Sequence, residues 1–184
     1  MEDRRDDDLI SEVLAGDHRA YAEIVARYQD KVFTTVSWLC RDRDEAEDLT
    51  QEVFVRAYFA LPTHDRSRQL SPWLITIARN LYFSRCRKRR RQAYLDDPGS
   101  GARTIADDRP SPHALAEAGD TVRRLKQAVA ELPEEYREIV LMRHVAELSY
   151  DEICTATGLP MGTVKSRLNR GRRMLAKAME QERG

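Results

Sequence analysis

The chain has 184 residues with 31 basic and 31 acidic side chains, so its net charge alone indicates no class of partner. The N-terminal residues are charged where a signal peptide would be apolar, and no run approaches the roughly 18 apolar residues of a membrane span. We therefore expect a cytoplasmic protein with no membrane span of its own. The cysteines form no C-x-x-C motif, which argues against a zinc ribbon or a disulfide framework, and each is expected to be a small, at least half-buried residue: Cys40, Cys86 and Cys154.

Charge is segregated along the chain although its total is balanced. Residues 44–55 contain five acidic side chains and no basic one: Asp44, Glu45, Glu47, Asp48 and Glu52. Residues 66–95 contain nine basic side chains and no acidic one, and residues 153–179 contain six and again no acidic one. Since opposite charges attract partners locally, this segregation predicts one surface for a protein and two for nucleic acid.

The first half shows helical periodicity throughout. Apolar residues at three-and-four spacing predict a helix over residues 9–14, and Asp17 is expected to cap a second helix whose apolar stripe continues to Leu39. A third helix is predicted from Asp44 to Leu61, ended by Pro62, with an inward face that consists of Leu49, Val53, Phe54 and Ala57.

A fourth helix is predicted to begin with Ser71 as its N-cap and Pro72 in its first position, and to end near Arg91. The composition then changes to Pro, Gly, Ser and Asp without apolar periodicity. A segment of this kind buries too little apolar surface to offset the entropy of ordering it, so residues 93–118 are expected to be a flexible linker.

Helical patterning resumes near Leu115 or Thr121, and a further helix is predicted from Pro133 with two acidic residues in its first turn. Ser149 and Glu152 form an S-x-x-E capping box, and Gly158 lies where a helix needs a left-handed residue at its end. Pro160 starts the next helix after a short turn, as in a helix-turn-helix. No strand alternation is present, so the predicted fold is all-α, with two small helical bundles joined by the linker.

The last helix has two faces of opposite character. Val164, Leu168, Gly171 and Leu175 are expected to pack on Ile153 and on the helix that contains Val140. The opposite face carries donors and cations suited to base edges and phosphates in a major groove, which are Thr163, Lys165, Ser166, Asn169, Arg170 and Arg173. The alternative is a basic face that only solvates a surface helix.

The basic stretch over residues 66–91 mixes cations with aromatic residues and Asn80, a composition suited to unpaired bases and a phosphate backbone. The alternative is that Trp73 belongs to the core and that the run RCRKRRR is a solvated helix end. Acidic residues 44–52 cannot face phosphates, so they are expected either to face a protein or only to make the surface soluble.

Three stretches, DEAEDLTQEVFVRAYFAL, SPWLITIARNLYFSRCRKRRR and LPEEYREIVLMRHVAELSYDEICTATGLPMGTVKSRLNRGRRML, resemble in this order the extracytoplasmic-function sigma factors. This is the minimal two-domain branch of the sigma-70 family of bacterial RNA polymerase. The resemblance implies a region 2 domain at residues 1–92, the linker, and a region 4 domain at residues 119–184. It implies an alternative sigma factor that binds core polymerase and directs promoter-specific initiation without a cofactor or a metal.

The resemblance also implies roles for particular residues. The clamp helices of the largest polymerase subunit would be bound by Asp44, Glu47, Asp48, Gln51 and Glu52. The proximal promoter element would be opened and held by the loop over residues 63–70 and by Arg66, Arg68, Trp73, Arg79, Asn80, Arg85, Arg87 and Lys88. The distal element would be bound as duplex by Thr163, Lys165, Ser166, Arg167, Asn169, Arg170 and Arg173. Further implied partners are the flap of the second-largest subunit and an anti-sigma factor.

Two other classes of function compete with this interpretation. A helix-turn-helix regulator acting as a dimer would bind its operator without core polymerase. A helical metal-dependent hydrolase would need clustered metal ligands, whereas the histidines are scattered at His18, His64, His113 and His144 and no H-E-x-x-H motif is present.

Overall fold

A computed structural model describes residues 4–40, 42–96 and 119–181, and within this part of the chain every regular element is helical. The all-α prediction is confirmed. The elements are α1 (Asp6–Leu14), α2 (His18–Ser37), α3 (Arg43–Ala60), a 3₁₀ turn (Leu61–Thr63), α4 (Leu70–Asp96), α5 (Asp120–Ala130), α6 (Glu134–His144), α7 (Tyr150–Thr157) and α8 (Met161–Gln181).

Helices α1 to α4 form the first bundle, in which α2 packs against α1, α3 and α4. The predicted inward face of α3 is confirmed, because Leu49, Val53, Phe54 and Ala57 are all buried. Asp17 caps α2 by accepting a hydrogen bond from the backbone of Arg19, as predicted. With one apolar face turned inward, α3 leaves its acidic residues on the outside of the bundle.

The ends of α3 and α4 differ from the sequence prediction. Helix α3 begins at Arg43, because the side chain of Asp42 accepts a hydrogen bond from the backbone of Glu45 and acts as the N-cap. Helix α4 begins at Leu70, which is buried, so Ser71 lies inside the helix and is not its N-cap. Helix α4 also continues past Arg91 to Asp96, which makes the first residues of the predicted linker helical. The remainder of that linker, residues 97–118, lies outside the described residues.

Helices α5 to α8 form the second bundle, which is organised around α8. Both predicted devices of the helix-turn-helix are confirmed: Ser149 and Glu152 form the reciprocal capping box, and Gly158 has a left-handed backbone with φ of 71°. The inward residues Val164, Leu168 and Gly171 are buried. Local capping therefore determines where α7 and α8 meet, and apolar packing fixes which face of α8 remains exposed.

Helices α6 and α8 approach closely at Gly171, and we predict that Gly171→Ala destabilises the second bundle. An added Cβ would lie 2.7 Å from a methyl carbon of Val140, a buried and rotationally stiff side chain. Overpacking of this kind costs about 1–3 kcal/mol, which outweighs the gain of about 1 kcal/mol from replacing a helical glycine. Urea unfolding followed by circular dichroism measures the change.

Gly162→Ala is the matched control, because an added Cβ there would meet nothing within 4 Å and the same gain in helix propensity applies. We expect this variant to be at least as stable as the parent chain. Equal stability of the two alanine variants would contradict the close approach of α6 and α8.

Cys40 and Cys86 are buried and Cys154 is half-buried, which confirms the burial predicted for each. Burial raises the pKa of the Cys40 thiol well above its ordinary value. None of the helices in the described ranges is long and apolar enough to cross a membrane.

Candidate protein and nucleic-acid interfaces

The outer face of α3, which we call the acidic surface, carries the predicted protein-binding residues. Asp44, Glu47, Asp48 and Gln51 are exposed, whereas Glu52 is half-buried. Two apolar side chains that the sequence analysis missed continue this face, since Val55 is 56% exposed and Phe59 is 77% exposed. They could have been found from their spacing of four residues, which places them away from the inward stripe. An exposed aromatic ring beside carboxylates is a typical anchor of a protein interface.

Ion pairs connect α3 to the basic helix α4. Glu52 accepts hydrogen bonds from Arg85 and Arg56, and Glu45 pairs with Arg89. The hydrogen bond from Arg85 is the main reason that the pKa of Glu52 lies below its ordinary value. The sequence-based expectation assigned Glu52 to a protein interface and Arg85 to DNA, and the structure brings the two side chains together. Their separate roles stay predictions.

The loop over residues 63–70 is shaped by Asp65. Its Oδ1 accepts hydrogen bonds from the backbone N–H of Ser67 at 3.0 Å and from the Ser67 hydroxyl at 2.7 Å, and its carbonyl accepts from the backbone of Arg68. Arg66 reaches Ser11 of α1 at 3.0 Å. Arg66 and Arg68 remain exposed on a loop whose backbone is held by its own hydrogen bonds.

His64 closes the base of this loop. Its ring lies 4.8 Å from the ring of Trp73, centroid to centroid, and its buried Nδ1 has no hydrogen-bond partner among the described residues. Burial lowers the pKa of His64 below its ordinary value of 6.5, against the opposing effect of the nearby carboxylates of Asp65, Asp7 and Asp6. Trp73 itself is half-buried, so it is neither fully in the core nor freely exposed.

We predict that the free energy of unfolding decreases as the pH falls through about 6.5, and that His64→Phe makes this decrease shallower. In the unfolded chain His64 takes up a proton near 6.5, whereas in the folded chain it stays neutral to lower pH, so acidification favours unfolding. His144 contributes with the same sign, because burial and the charges of Arg172 and Arg143 lower its pKa as well.

Urea unfolding at a series of pH values compares the parent chain with His64→Phe, His144→Gln and the double variant. The double variant should show the shallowest dependence above the range in which carboxylates titrate. Superimposable pH profiles for the parent and His64→Phe would contradict a buried neutral imidazole at the base of the loop.

Further predicted contact residues lie along α4. Asn80 is exposed and its Oδ1 accepts a hydrogen bond from Arg79 at 2.7 Å. The guanidinium of Arg79 also lies 5.5 Å from the centroid of the Phe83 ring. Arg87 and Lys88 are exposed further along the helix. The structure therefore places most of the residues predicted for the proximal element on the loop and on α4.

Helix α8 carries the residues predicted for the distal element. Its outward side chains, Lys165, Ser166, Asn169, Arg170 and Arg173, are exposed together, whereas Thr163 is half-buried. Arg167 is also half-buried and pairs with Glu135 at 2.9 Å. Lys165 lies 5.8 Å from the centroid of the Tyr150 ring. Five of the seven predicted residues thus share one accessible face, and Arg167 has a partner inside the bundle.

No group of three or more His, Cys, Asp or Glu side chains in the described part of the chain is arranged to hold a metal ion. His18 contacts Tyr58, His64 contacts Trp73 and His144 lies at the end of α6. His113 lies outside the described residues.

The second bundle contains a helix-turn-helix, and the first bundle has a basic helix and an acidic surface. These are the features expected of a two-domain transcription factor. Two models of known protein families match the chain. Residues 24–92 match the family model of sigma-70 region 2, and residues 123–175 match that of sigma-70, region 4.

Known relatives resemble the chain over nearly its whole length. It is 35% identical over 176 residues to the ECF RNA polymerase sigma factor SigW of Bacillus subtilis, covering 92% of this chain and 94% of that protein. It is 31% identical over 182 residues to the RNA polymerase sigma-H factor of Pseudomonas aeruginosa, covering 96% of this chain and 94% of that protein. The chain therefore belongs to the extracytoplasmic-function sigma factors, and it directs promoter-specific transcription initiation by RNA polymerase. The dimeric regulator receives no support from these comparisons.

Solved structures show the same fold. The sigma factor RpoE of Bartonella quintana, in complex with the anti-sigma factor NepR, has a TM-score of 0.71 at 25% identity, covering 87% of this chain and 96% of that one. CnrH, in complex with the cytosolic domain of CnrY, has a TM-score of 0.68 at 21% identity, covering 94% of this chain and 96% of that one. The second likeness is evidence for the fold alone.

Proposed function

We propose that the acidic surface of α3 binds the clamp helices of the largest polymerase subunit. The observation that carries this proposal is the juxtaposition, on one exposed face, of four predicted contact residues with the ring of Phe59. Carboxylates steer and orient the encounter, whereas a buried aromatic side chain supplies much of the affinity. In the same assembly the second domain binds the flap of the second-largest subunit.

The loop over residues 63–70 and helix α4 bind the proximal promoter element as a single strand. Asn80 offers an exposed amide to a base that has left the stack, and the cations of the loop and of α4 follow the phosphates. Extruding a base costs a few kcal/mol, which the contacts to the base and the cations of the loop and of α4 must offset. The assignment is supported by the exposure of Arg66 and Arg68 on the loop and of Asn80, Arg87 and Lys88 on α4.

Helix α8 binds the distal element as duplex DNA. We assign its exposed residues Lys165, Ser166, Asn169 and Arg170 to base edges. Arg173 and the two half-buried residues Thr163 and Arg167 are assigned to phosphates. Arg167 must leave Glu135, or share it, in order to contact a phosphate.

We propose a division of the chain into domains at residues 1–92 and 119–184, which is supported by the two helical bundles. The chain supplies promoter specificity and the core enzyme supplies the chemistry of RNA synthesis, so the protein acts in the cytoplasm with core polymerase. An anti-sigma factor is a further proposed partner, supported by the RpoE–NepR complex.

Run-off transcription with core polymerase from the source bacterium tests the proposal. Genomic fragments serve as templates, and the initiation sites are sequenced with and without the chain. We expect a set of start sites that requires the chain and shares two sequence elements upstream. Initiation at the same sites by core polymerase alone would contradict the proposed function.

A further inference from the structure

The second bundle is in contact with the first on the side proposed to bind single-stranded DNA. Helix α7 packs beside α4, and the two enclose a groove of about 610 Å³. One wall of the groove consists of the loop at residues 63–69 with Trp73 and Thr76, and the other consists of Asp151, Glu152 and Thr155 of α7. A nucleic-acid strand in this groove would therefore meet two carboxylates of the second bundle.

A polar contact across this interface joins Arg79 of α4 to Glu138 of α6. The side chains of Arg79 and Glu138 are only 24% and 11% exposed, so the ion pair is largely shielded from water. Exposed pairs contribute little to stability, whereas removing one partner of a shielded pair leaves a charge that is poorly solvated. Arg79 at the same time donates to Asn80, so Glu138 holds the two residues that are proposed to contact the flipped base and its phosphate.

Two other contacts also join the bundles. Arg90 pairs with Glu134 at 2.6 Å, and Lys126 of α5 lies 5.7 Å from the centroid of the Trp38 ring. The carboxylates of Glu134 and Glu138 thus bind cations of α4 that would otherwise bind the phosphates of a DNA strand.

We propose that the second domain covers the single-strand surface of the first, so that docking of the two domains and binding of a DNA strand exclude each other. The inference rests on the proposed function, because that function makes Arg79 and Asn80 contact residues for the strand. The exclusion is reciprocal. If docking of the domains lowers the affinity for the strand by a given factor, a bound strand lowers the equilibrium constant of docking by the same factor. Only the undocked fraction of the chain binds the strand, so the observed affinity of the full chain equals the intrinsic affinity multiplied by that fraction.

The test uses the full chain, the variant Glu138→Gln and the control Glu180→Gln. Glu180 is exposed near the end of α8, so the control makes the same change in net charge away from the interface. The probe is a fluorescein-labelled oligothymidine of about 12 nucleotides, because backbone contacts and stacking tolerate any sequence. Fluorescence anisotropy measures its dissociation constant, and small-angle X-ray scattering measures the radius of gyration of the free chain.

We expect Glu138→Gln to bind the probe about fivefold more tightly or better, which is the lower range of couplings between sites, and to have a larger radius of gyration. The control should match the parent in both measurements. If Glu138→Gln stays compact, the double variant with Glu134→Gln must expand and bind more tightly. A larger radius without tighter binding overturns the inference, and so does unchanged behaviour of both variants.

The inference and the proposed function fail in different ways. If the parent chain directs initiation in the run-off assay but neither Glu138→Gln nor the double variant with Glu134→Gln binds the probe more tightly than the parent, the inference alone fails. If neither protein binds the probe at low salt, the proposed strand-binding surface fails, and the inference fails with it.

Discussion

Charge reversal by Asp48→Lys lowers the affinity for core RNA polymerase about 10- to 100-fold, which corresponds to about 1.4–2.8 kcal/mol. Asp48 is exposed at the centre of the acidic surface. A lysine there would remove a favourable charge and place a repulsive one against a basic partner surface. Equilibrium titration of the labelled chain with core polymerase measures the loss.

Asp30→Lys is the control, because Asp30 is an exposed residue of α2 outside the acidic surface. It makes the same change in net charge and should bind core polymerase like the parent. The duplex contacts of the second domain should survive in Asp48→Lys. Equal losses for the two lysine variants, or a matching loss of duplex binding in Asp48→Lys, would contradict a polymerase-binding role for this face.

Glu52 would be a poor choice for this experiment even though it was assigned to the same surface. Its carboxylate is bonded to Arg85 and Arg56, so a substitution would release cations of α4 and of α3 at the same time. Any effect on polymerase binding would then be mixed with an effect on the basic side of the first bundle. Asp48 separates the two surfaces.

Arg170→Ala lowers initiation at the promoters of this sigma factor about 5- to 150-fold, the range given by about 1–3 kcal/mol for an arginine that reads a base pair. Arg170 is exposed on α8 beside Asn169 and Ser166. The loss should depend on the base pair at one position of the distal element, because the contact is to a base edge. Run-off transcription with templates mutated at single positions measures this dependence.

Arg172→Ala is the matched control, since Arg172 is exposed on the opposite flank of the same helix and carries the same charge. Its substitution should produce a small loss that is uniform across templates. A uniform loss for Arg170→Ala as well would show that its role is confined to phosphates or to net charge.

The helix-turn-helix was predictable because its signals are local. Ser149, Glu152 and Gly158 act through hydrogen bonds and backbone angles within one turn of the helix, so the residue types alone indicate where the helix begins and ends. The inward and outward faces of α8 follow from periodicity in the same way. These features needed no knowledge of the rest of the fold.

The first and last residues of α4 could not be predicted from capping and periodicity, because they depend on burial at one end and on helix propensity at the other. Burial of Leu70 in the bundle overrides the capping preference of Ser71 at its start. At its end, the apolar periodicity stops near Arg91, but arginine, glutamine, alanine and leucine are good helix formers and the helix continues to Asp96. Periodicity indicates where a helix is packed, whereas propensity extends it beyond the packed part.

The contacts between bundles were also beyond sequence reasoning. Arg79 and Glu138 are 59 positions apart, and nothing in the local pattern of either residue indicates the other. The sequence pattern therefore predicted two bundles on a linker, whereas the structure has them in contact. The charges that were predicted to face DNA are in part neutralised within the chain, by Glu138 for Arg79 and by Glu52 for Arg85.

The most direct test of the central claim is the binding of the purified chain to core polymerase from its own bacterium, measured by titration of the labelled chain. We expect saturable binding of one chain per core enzyme, weakened by Asp48→Lys and unchanged by Asp30→Lys. Absence of saturable binding by a folded parent chain would contradict the claim, even if α8 bound duplex DNA.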